Sequence, residues 1–341
     1  MKKRLFRLVA YCALLGIISL LGVLFLPRNY KVLEFTERPN TRYWDLKTGS
    51  RIGYQEIAGD PAANNHPIIY LHGGPGGIVT NETIEMLAPL AKKNYDLYLY
   101  DQVGSGHSER LDNIEEYTVE RHVEDLAEII EAIGAEKVIL LGQSWGAMLA
   151  MQYLAEHPQK VEKLIFTGPG PILPIRPELS KREIPDSLNL ESPKFSNKDG
   201  NRKAYNLRSR FVSYWATTFG KKLSTDQEAD NFFTYLNGEL SKSTKCDPSG
   251  TVESSGGRGY YAHIMTIRSF QKIEDKRNKI RGLEIPVLII KGQCDNQKWG
   301  FAAEYLELLP NTRLEIIEGA GHIIGKEHQK RYLEEITKFL D

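Results

Sequence analysis

Short aliphatic runs alternate with stretches of helical spacing in two parts of the chain, and the alternation stops between them. Ile68–Leu71, Leu97–Tyr100, Lys137–Leu141 and Val161–Thr167 read as strands. Helices are predicted over Glu82–Lys93, Thr118–Ile133 and Ala147–His157. In the second of these, Val119, Val123, Leu126, Ile129 and Ile130 share one face. TRYWDLKTGSRIGYQEIAG, at 41–59, reads as a hairpin turning at Lys47-Thr48-Gly49-Ser50. From 170 to about 280 the chain is polar and aromatic with no clear strand. The pattern resumes with PVLIIKG at 286–292, a helix at Gly300–Leu308, a strand at Arg313–Ile317 and a helix at Lys326–Leu340. Strands that are aliphatic throughout, separated by helices, predict a mostly parallel sheet with helices on both faces. The expected organisation is an α/β core in two parts, 41–169 and 284–341, with a mainly helical cap inserted at 170–283.

The N-terminus has a different pattern. Leu8 to Leu26 carries no charge, follows Lys2, Lys3, Arg4 and Arg7, and ends at Pro27-Arg28. At ~1.5 Å per residue this run nearly crosses a ~30 Å hydrocarbon layer. The basic flank predicts a cytoplasmic N-terminus, with the remaining chain outside the cytoplasm. Residues 1–27 are therefore expected to be a signal anchor, and 28–40 a short polar linker. The alternative is a signal peptide whose cleavage releases a secreted protein, but no small-x-small site surrounds FLPRNYKV.

Composition narrows the function classes. Lys plus Arg and Asp plus Glu are 44 each, so no basic excess points to nucleic acid. The three cysteines make no disulfide framework, and no Cys/His cluster has metal-ligand spacing. Cys246 and Cys294 pair only if the fold brings them together; otherwise they are two unpaired thiols.

The candidate chemistry lies in VILLGQSWGAMLA, at 138–150. Here Gly-x-Ser-x-Gly follows a predicted strand and opens a predicted helix, which is the setting of a nucleophile elbow. Such a turn lifts the hydroxyl of Ser144 out at the carboxyl end of the strand, beside the positive end of a helix. A serine hydroxyl needs a base to take its proton and an acid to orient that base. His322, in a loop after the strand at Arg313–Ile317, is the expected base, and Asp295, after PVLIIKG, the expected acid. Asp295 also reads as a helix cap for the segment near Trp299. The backbone N–H groups of Trp145 and of Gly74, in LHGGPGG, are the expected oxyanion donors.

HGGPGG at 72–77, DQVGSGHS at 101–108, GQSWG at 142–146, Cys294-Asp295 and Gly319-Ala320-Gly321-His322 together resemble the α/β-hydrolase fold, and within it the proline iminopeptidase family of serine peptidases. The resemblance covers roughly 45–170 and 284–341. It implies an eight-stranded sheet, a helical cap, no cofactor, and release of an N-terminal residue, often proline, from short peptides. Acidic cap residues of such enzymes read the free amine. The cap departs from the family's pattern: Trp215 is followed by Ala216, not glutamate, and GYYAHIMT at 259–266 has none. Glu228, Glu239 and Glu253 are candidate substitutes, with a solvated surface as the other reading. Tyr260 and Tyr261 either line a pocket or form cap core.

Three functions stay open from sequence. The first is an aminopeptidase acting on short peptides. The second is a carboxylester or amide hydrolase using the same triad on another small acyl substrate. The third is an inactive, membrane-tethered binding protein. Serine at the elbow disfavours an epoxide hydrolase or dehalogenase, which carries aspartate there.

Overall fold

In the computed structural model the described residues are 2–59, 66–247 and 255–341. The elements in chain order are helix α1 (Lys2–Phe25), strands β1 (Arg42–Asp45), β2 (Arg51–Ile57) and β3 (Ile68–Leu71), helix α2 (Asn81–Leu87) and strand β4 (Leu97–Tyr100). Helix α3 (Val119–Ile133), strand β5 (Val138–Gln143), helix α4 (Trp145–Glu156) and strand β6 (Val161–Thr167) follow. The cap holds α5 (Asn197–Ala204), α6 (Leu207–Phe219), α7 (Asp226–Leu240) and α8 (Tyr260–Ser269). The chain then returns through α9 (Arg277–Ile280), β7 (Val287–Gly292), α10 (Trp299–Leu308), β8 (Thr312–Ile317) and α11 (Gln329–Leu340).

The eight strands form one sheet in the order β1-β2-β4-β3-β5-β6-β7-β8. β1, β2 and β4 pair antiparallel, and every pairing from β4 through β8 is parallel. The alternation of side chains divides the aliphatic strands between two cores. Ile69, Leu71, Val138 and Leu140 face the layer of α3 and α4, while Ile68, Tyr70, Ile139 and Leu141 face the layer of α2 and α11. Burial on both faces is why these strands read as unbroken apolar runs. α3 starts where the Thr118 hydroxyl accepts from Arg121 N–H at 3.1 Å and stops at left-handed Gly134. The predicted helix over Glu82–Lys93 is α2 followed by a 3-10 turn, Ala88–Lys93, with Pro89 in its first turn.

The fold decides between the alternatives for Cys246 and Cys294 and adds to the reading of 28–40. Cys246 and Cys294 are joined in a disulfide with Cα atoms 5.2 Å apart, because the cap's return segment packs on the loop after β7. The same cap segment closes on the loop after β8, where a Cβ on Gly321 would collide with the Thr244 carbonyl oxygen. The segment 28–40 is not a free polar connection. Tyr30 packs on Phe232 and Tyr235 of α7, and Phe35 packs on the His107 ring. Arg38 is buried, donating from Nη2 to Asp101 Oδ2 at 2.6 Å and from Nη1 to the Val79 carbonyl. The apolar side chains of Tyr30 and Phe35, and the buried charge of Asp101, supply the reason.

Candidate active site

The β5–α4 junction sets the geometry. Ser144 caps α4 with φ 54° and ψ −111°, a backbone conformation that side chains other than glycine rarely hold. The flanking glycines permit it: a Cβ on Gly142 would stand 2.6 Å from the Ala147 nitrogen, and one on Gly146 would collide with the Leu71 carbonyl. Trp145 is the first residue of α4, so its N–H has no partner within the helix.

Two neighbouring loops converge on Ser144. Ser144 N–H donates to the Thr167 carbonyl at the end of β6, 3.0 Å away. The next residue, Gly168, abuts His322 and Asp295 together: a Cβ there would be 2.8 Å from His322 Nδ1 and 3.1 Å from Asp295 Oδ2. On the other side Gly73 lies against the serine, with its Cβ position 3.3 Å from Ser144 Cβ. The Gly73–Gly77 loop after β3, Ser144 after β5, Gly168 after β6, Asp295 after β7 and His322 after β8 thus all lie at the carboxyl end of the parallel strands.

His322 Nδ1–H donates to Asp295 Oδ1 at 2.8 Å, and both residues are buried. Asp295 Oδ1 also accepts from Gln297 N–H at 2.9 Å, and Oδ2 accepts from the Lys291 ammonium at 2.8 Å. Burial works to raise the Asp295 pKa, but His322 and Lys291 outweigh it and hold the carboxyl down at about 2. The aspartate is therefore charged, acts only as an acceptor, and fixes the proton of His322 on Nδ1. His322 Nε2 is left to accept a proton. Residue 298, not Asp295, is the N-cap of α10. Lys291 was not singled out from sequence. The signal was a lone ammonium inside the aliphatic run VLIIKG, which on a strand buried on both faces demands a paired anion.

A second network joins the three glycine-rich motifs. Gln102 N–H donates to His72 Nε2 at 2.9 Å, so His72 carries its proton on Nδ1 and donates it to the Gly73 carbonyl at 2.8 Å. Burial keeps His72 neutral by lowering its pKa. The Gln102 side chain donates to the His72 carbonyl at 3.0 Å and accepts from Trp145 Nε1 at 2.7 Å. With the Gly73 carbonyl engaged by His72, the loop carrying Gly74 is fixed relative to Trp145. A neighbouring hub is fully buried Asp101, which accepts from Arg38, from His107 and from Val79 N–H. Burial opposes the charge on Asp101, and His107 and Arg38 overcome it, lowering the pKa.

The cap residues are placed differently. Glu228 is held by Arg208 through two 2.9 Å hydrogen bonds and receives Arg28 N–H at 3.1 Å. Glu239 pairs with Lys203 at 2.7 Å. Glu253 lies outside the described residues. Tyr260 and Tyr261 are buried in the cap core, the first bonded to Ser213 and packed on Phe232 and Phe233, the second bonded to Ser224 at 2.8 Å. A buried cap carboxylate that sequence reading passed over is Asp230. It bridges Arg110 at 3.0 Å and Tyr260 N–H at 2.9 Å, and burial pushes it up to about 6 despite Arg110. The N-terminal end of α8 rests on the glycine loop, with Gly259 N–H donating to the Gly76 carbonyl at 2.9 Å and His263 donating to the Pro75 carbonyl at 2.9 Å.

A strand-turn-helix serine site under a helical cap is a hydrolase arrangement, and a model of the alpha/beta hydrolase fold family matches residues 66–329; the chain belongs to that family. Within it, the chain is similar to the proline iminopeptidases. That of Clostridium botulinum is 24% identical over 303 residues, covering 88% of this chain and 96% of its relative. Solved structures share the fold. The proline iminopeptidase of Mycobacterium smegmatis superposes with a TM-score of 0.57 at 19% identity, covering 88% of this chain and 97% of the other. An esterase from Exiguobacterium antarcticum gives 0.57 at 20% identity, covering 87% and 98%.

Proposed function

We propose that this chain is a serine hydrolase working through an acyl-enzyme on Ser144, and that it removes N-terminal residues, proline foremost, from short peptides. The observation that carries the reading is the 2.8 Å His322–Asp295 bond, in which Gly168 ties the buried pair to the strand end beside Ser144. His322 Nε2 takes the serine proton as Oγ attacks the scissile carbonyl. Asp295 stabilises the imidazolium that forms. The oxyanion meets the N–H of Trp145, reinforced by the α4 dipole, and that of Gly74. His322 then delivers the proton to the leaving amine, water hydrolyses the ester, and the serine is restored. The proline iminopeptidase relatives support the peptidase assignment.

A second reading, a carboxylester or amide hydrolase on the same triad, is favoured by one feature. Glu228 and Glu239 are both engaged by cations of the cap, so neither stands as a free anion for a substrate ammonium. Comparing hydrolysis of a free-amine proline anilide with its N-acetylated twin separates the two. The peptidase reading requires strong preference for the free amine; equal rates, or turnover of aryl esters alone, favour the second.

We also propose that α1 anchors the chain in a membrane with the catalytic domain outside the cytoplasm. α1 is long and apolar enough to span a bilayer, and none of its described residues is buried against the protein. The Cys246–Cys294 bridge suits an oxidising compartment.

A further inference from the structure

α6 presents an apolar arc to the outside. At helical spacing Leu207, Phe211, Tyr214, Trp215 and Thr218 share the face opposite Ser209 and Ala216, which turn into the cap; Phe219 lies at the edge of this face, and Phe211 and Trp215 are half-buried. Leu207, Tyr214 and Phe219 are 58%, 56% and 51% exposed, an unusual concentration of large apolar side chains on one helix face in water. The aromatic rings continue one another, Phe211 to Trp215 at 5.9 Å and Trp215 to Phe219 at 4.7 Å.

The place of this face in the molecule identifies what covers it. Phe211 meets Phe25, the last residue of α1, with ring centroids 5.4 Å apart. Arg208 of α6 donates from Nη1 to the Leu24 carbonyl at 2.6 Å while clamped on Glu228. Arg28 N–H donates to Glu228, and the Tyr30 hydroxyl accepts from Asn206 Nδ2 at 3.1 Å. The exit of α1 is thus fastened to the N-terminal half of α6 and to the first turn of α7, which leaves little freedom between them. A helix fixed at the point where a spanning segment leaves hydrocarbon lies at the depth where tryptophan and tyrosine concentrate. Lys198, Arg202 and Arg210, with Asp199 among them and 3.8 Å from Arg202, line an open cleft of about 360 Å³ beside α6 and leave it a net excess of cations, of the kind that flanks such faces.

We infer that the outer face of α6 lies in the headgroup region of the bilayer that α1 enters, so that the cap is seated on the membrane surface. The inference rests on α1 being a membrane anchor, and the test separates the two. The full chain is reconstituted in phosphatidylcholine–phosphatidylglycerol liposomes containing lipids brominated high or low on the acyl chain, and tryptophan emission is read after flotation. Of four tryptophans, Trp145 and Trp299 are buried and Trp44 is on the edge hairpin. Shallow bromines are expected to quench roughly a quarter of the emission, one tryptophan in four, with deep bromines quenching less, and Trp215→Phe removes that quenching. Flotation with equal quenching in wild type and Trp215→Phe leaves the anchor intact and overturns the seated cap. Failure to float overturns both. A nitroxide on Thr218→Cys in a Cys12→Ser background gives a second readout: higher accessibility to oxygen than to a water-soluble relaxer supports the inference, and the reverse contradicts it.

Discussion

The ammonium of Lys291 stands 2.8 Å from Asp295 Oδ2, on the side of the carboxylate away from His322. Both partners are buried, so neither charge is tolerable without the other. The pair holds Asp295 ionised and oriented, and it ties β7 to the loop that carries this carboxylate, since Lys291 also donates to the Gln297 carbonyl at 2.8 Å.

Replacing Lys291 by methionine leaves a buried carboxylate facing an apolar side chain. The expected cost is about 3–5 kcal/mol of stability near neutral pH, with turnover reduced. The pH dependence has a definite sign. Asp295 is held at about 2 when folded, against 3.8 ordinarily, so its contribution is complete above the ordinary value and is lost as pH falls toward 2. Thermal unfolding as a function of pH should show wild type losing this contribution only between about pH 4 and 2. In Lys291→Met the folded carboxyl is held down less against the burial that raises it, so the loss over that range should be smaller or reversed. Superimposable profiles for the two proteins would contradict the role given to Lys291.

Gly168→Ala tests the packing between the elbow and the acid-base pair. Its φ of +51° and a Cβ position 2.8 Å from His322 Nδ1 leave no room for a methyl group. The left-handed backbone costs about 1–2 kcal/mol in stability, whereas displacement of the imidazole by even an ångström is expected to cost about 100-fold in kcat. A variant with near-normal kcat would mean that His322 sits elsewhere during turnover.

Strain at the elbow gives an opposite pairing of effects. Ser144→Gly should raise the unfolding free energy by about 1 kcal/mol or more by relieving the positive φ, while hydrolysis falls by at least about 10³-fold. Calorimetry alongside initial rates decides it. A destabilised Ser144→Gly would argue that the backbone is not under strain there.

The Cys246–Cys294 bridge closes a span of 48 residues across the cap and reaches the residue before Asp295. Chain entropy sets its worth at no more than about 4 kcal/mol. Double replacement by serine, or full reduction of the wild type, should lower the melting temperature in the same direction and by similar amounts. No change in either case would mean the bridge contributes nothing to the folded state.

The sheet was legible because its strands are buried on both faces: Ile68–Leu71, Leu97–Tyr100 and Val161–Thr167 have the same ends in sequence and structure. The elbow was legible because its glycines are required by backbone contacts that no other residue allows. Pairings between distant segments were not. Periodicity carries no information about whether Cys246 reaches Cys294, or whether Arg38, in a segment that reads as polar, is drawn into the core by Asp101. The cap glutamates illustrate the same limit, since Glu228 reads as a solvated acid until Arg208 is placed against it.

The central claim is that Ser144 carries the acyl group. Treating the full chain with a serine-directed fluorophosphonate, digesting it and locating the adduct by mass spectrometry tests this directly. The account predicts one modified peptide, spanning Val138–Ala150 and labelled on Ser144, with labelling abolished in Ser144→Ala and slowed in His322→Ala. Labelling at another serine, or hydrolysis that persists in Ser144→Ala, would contradict it.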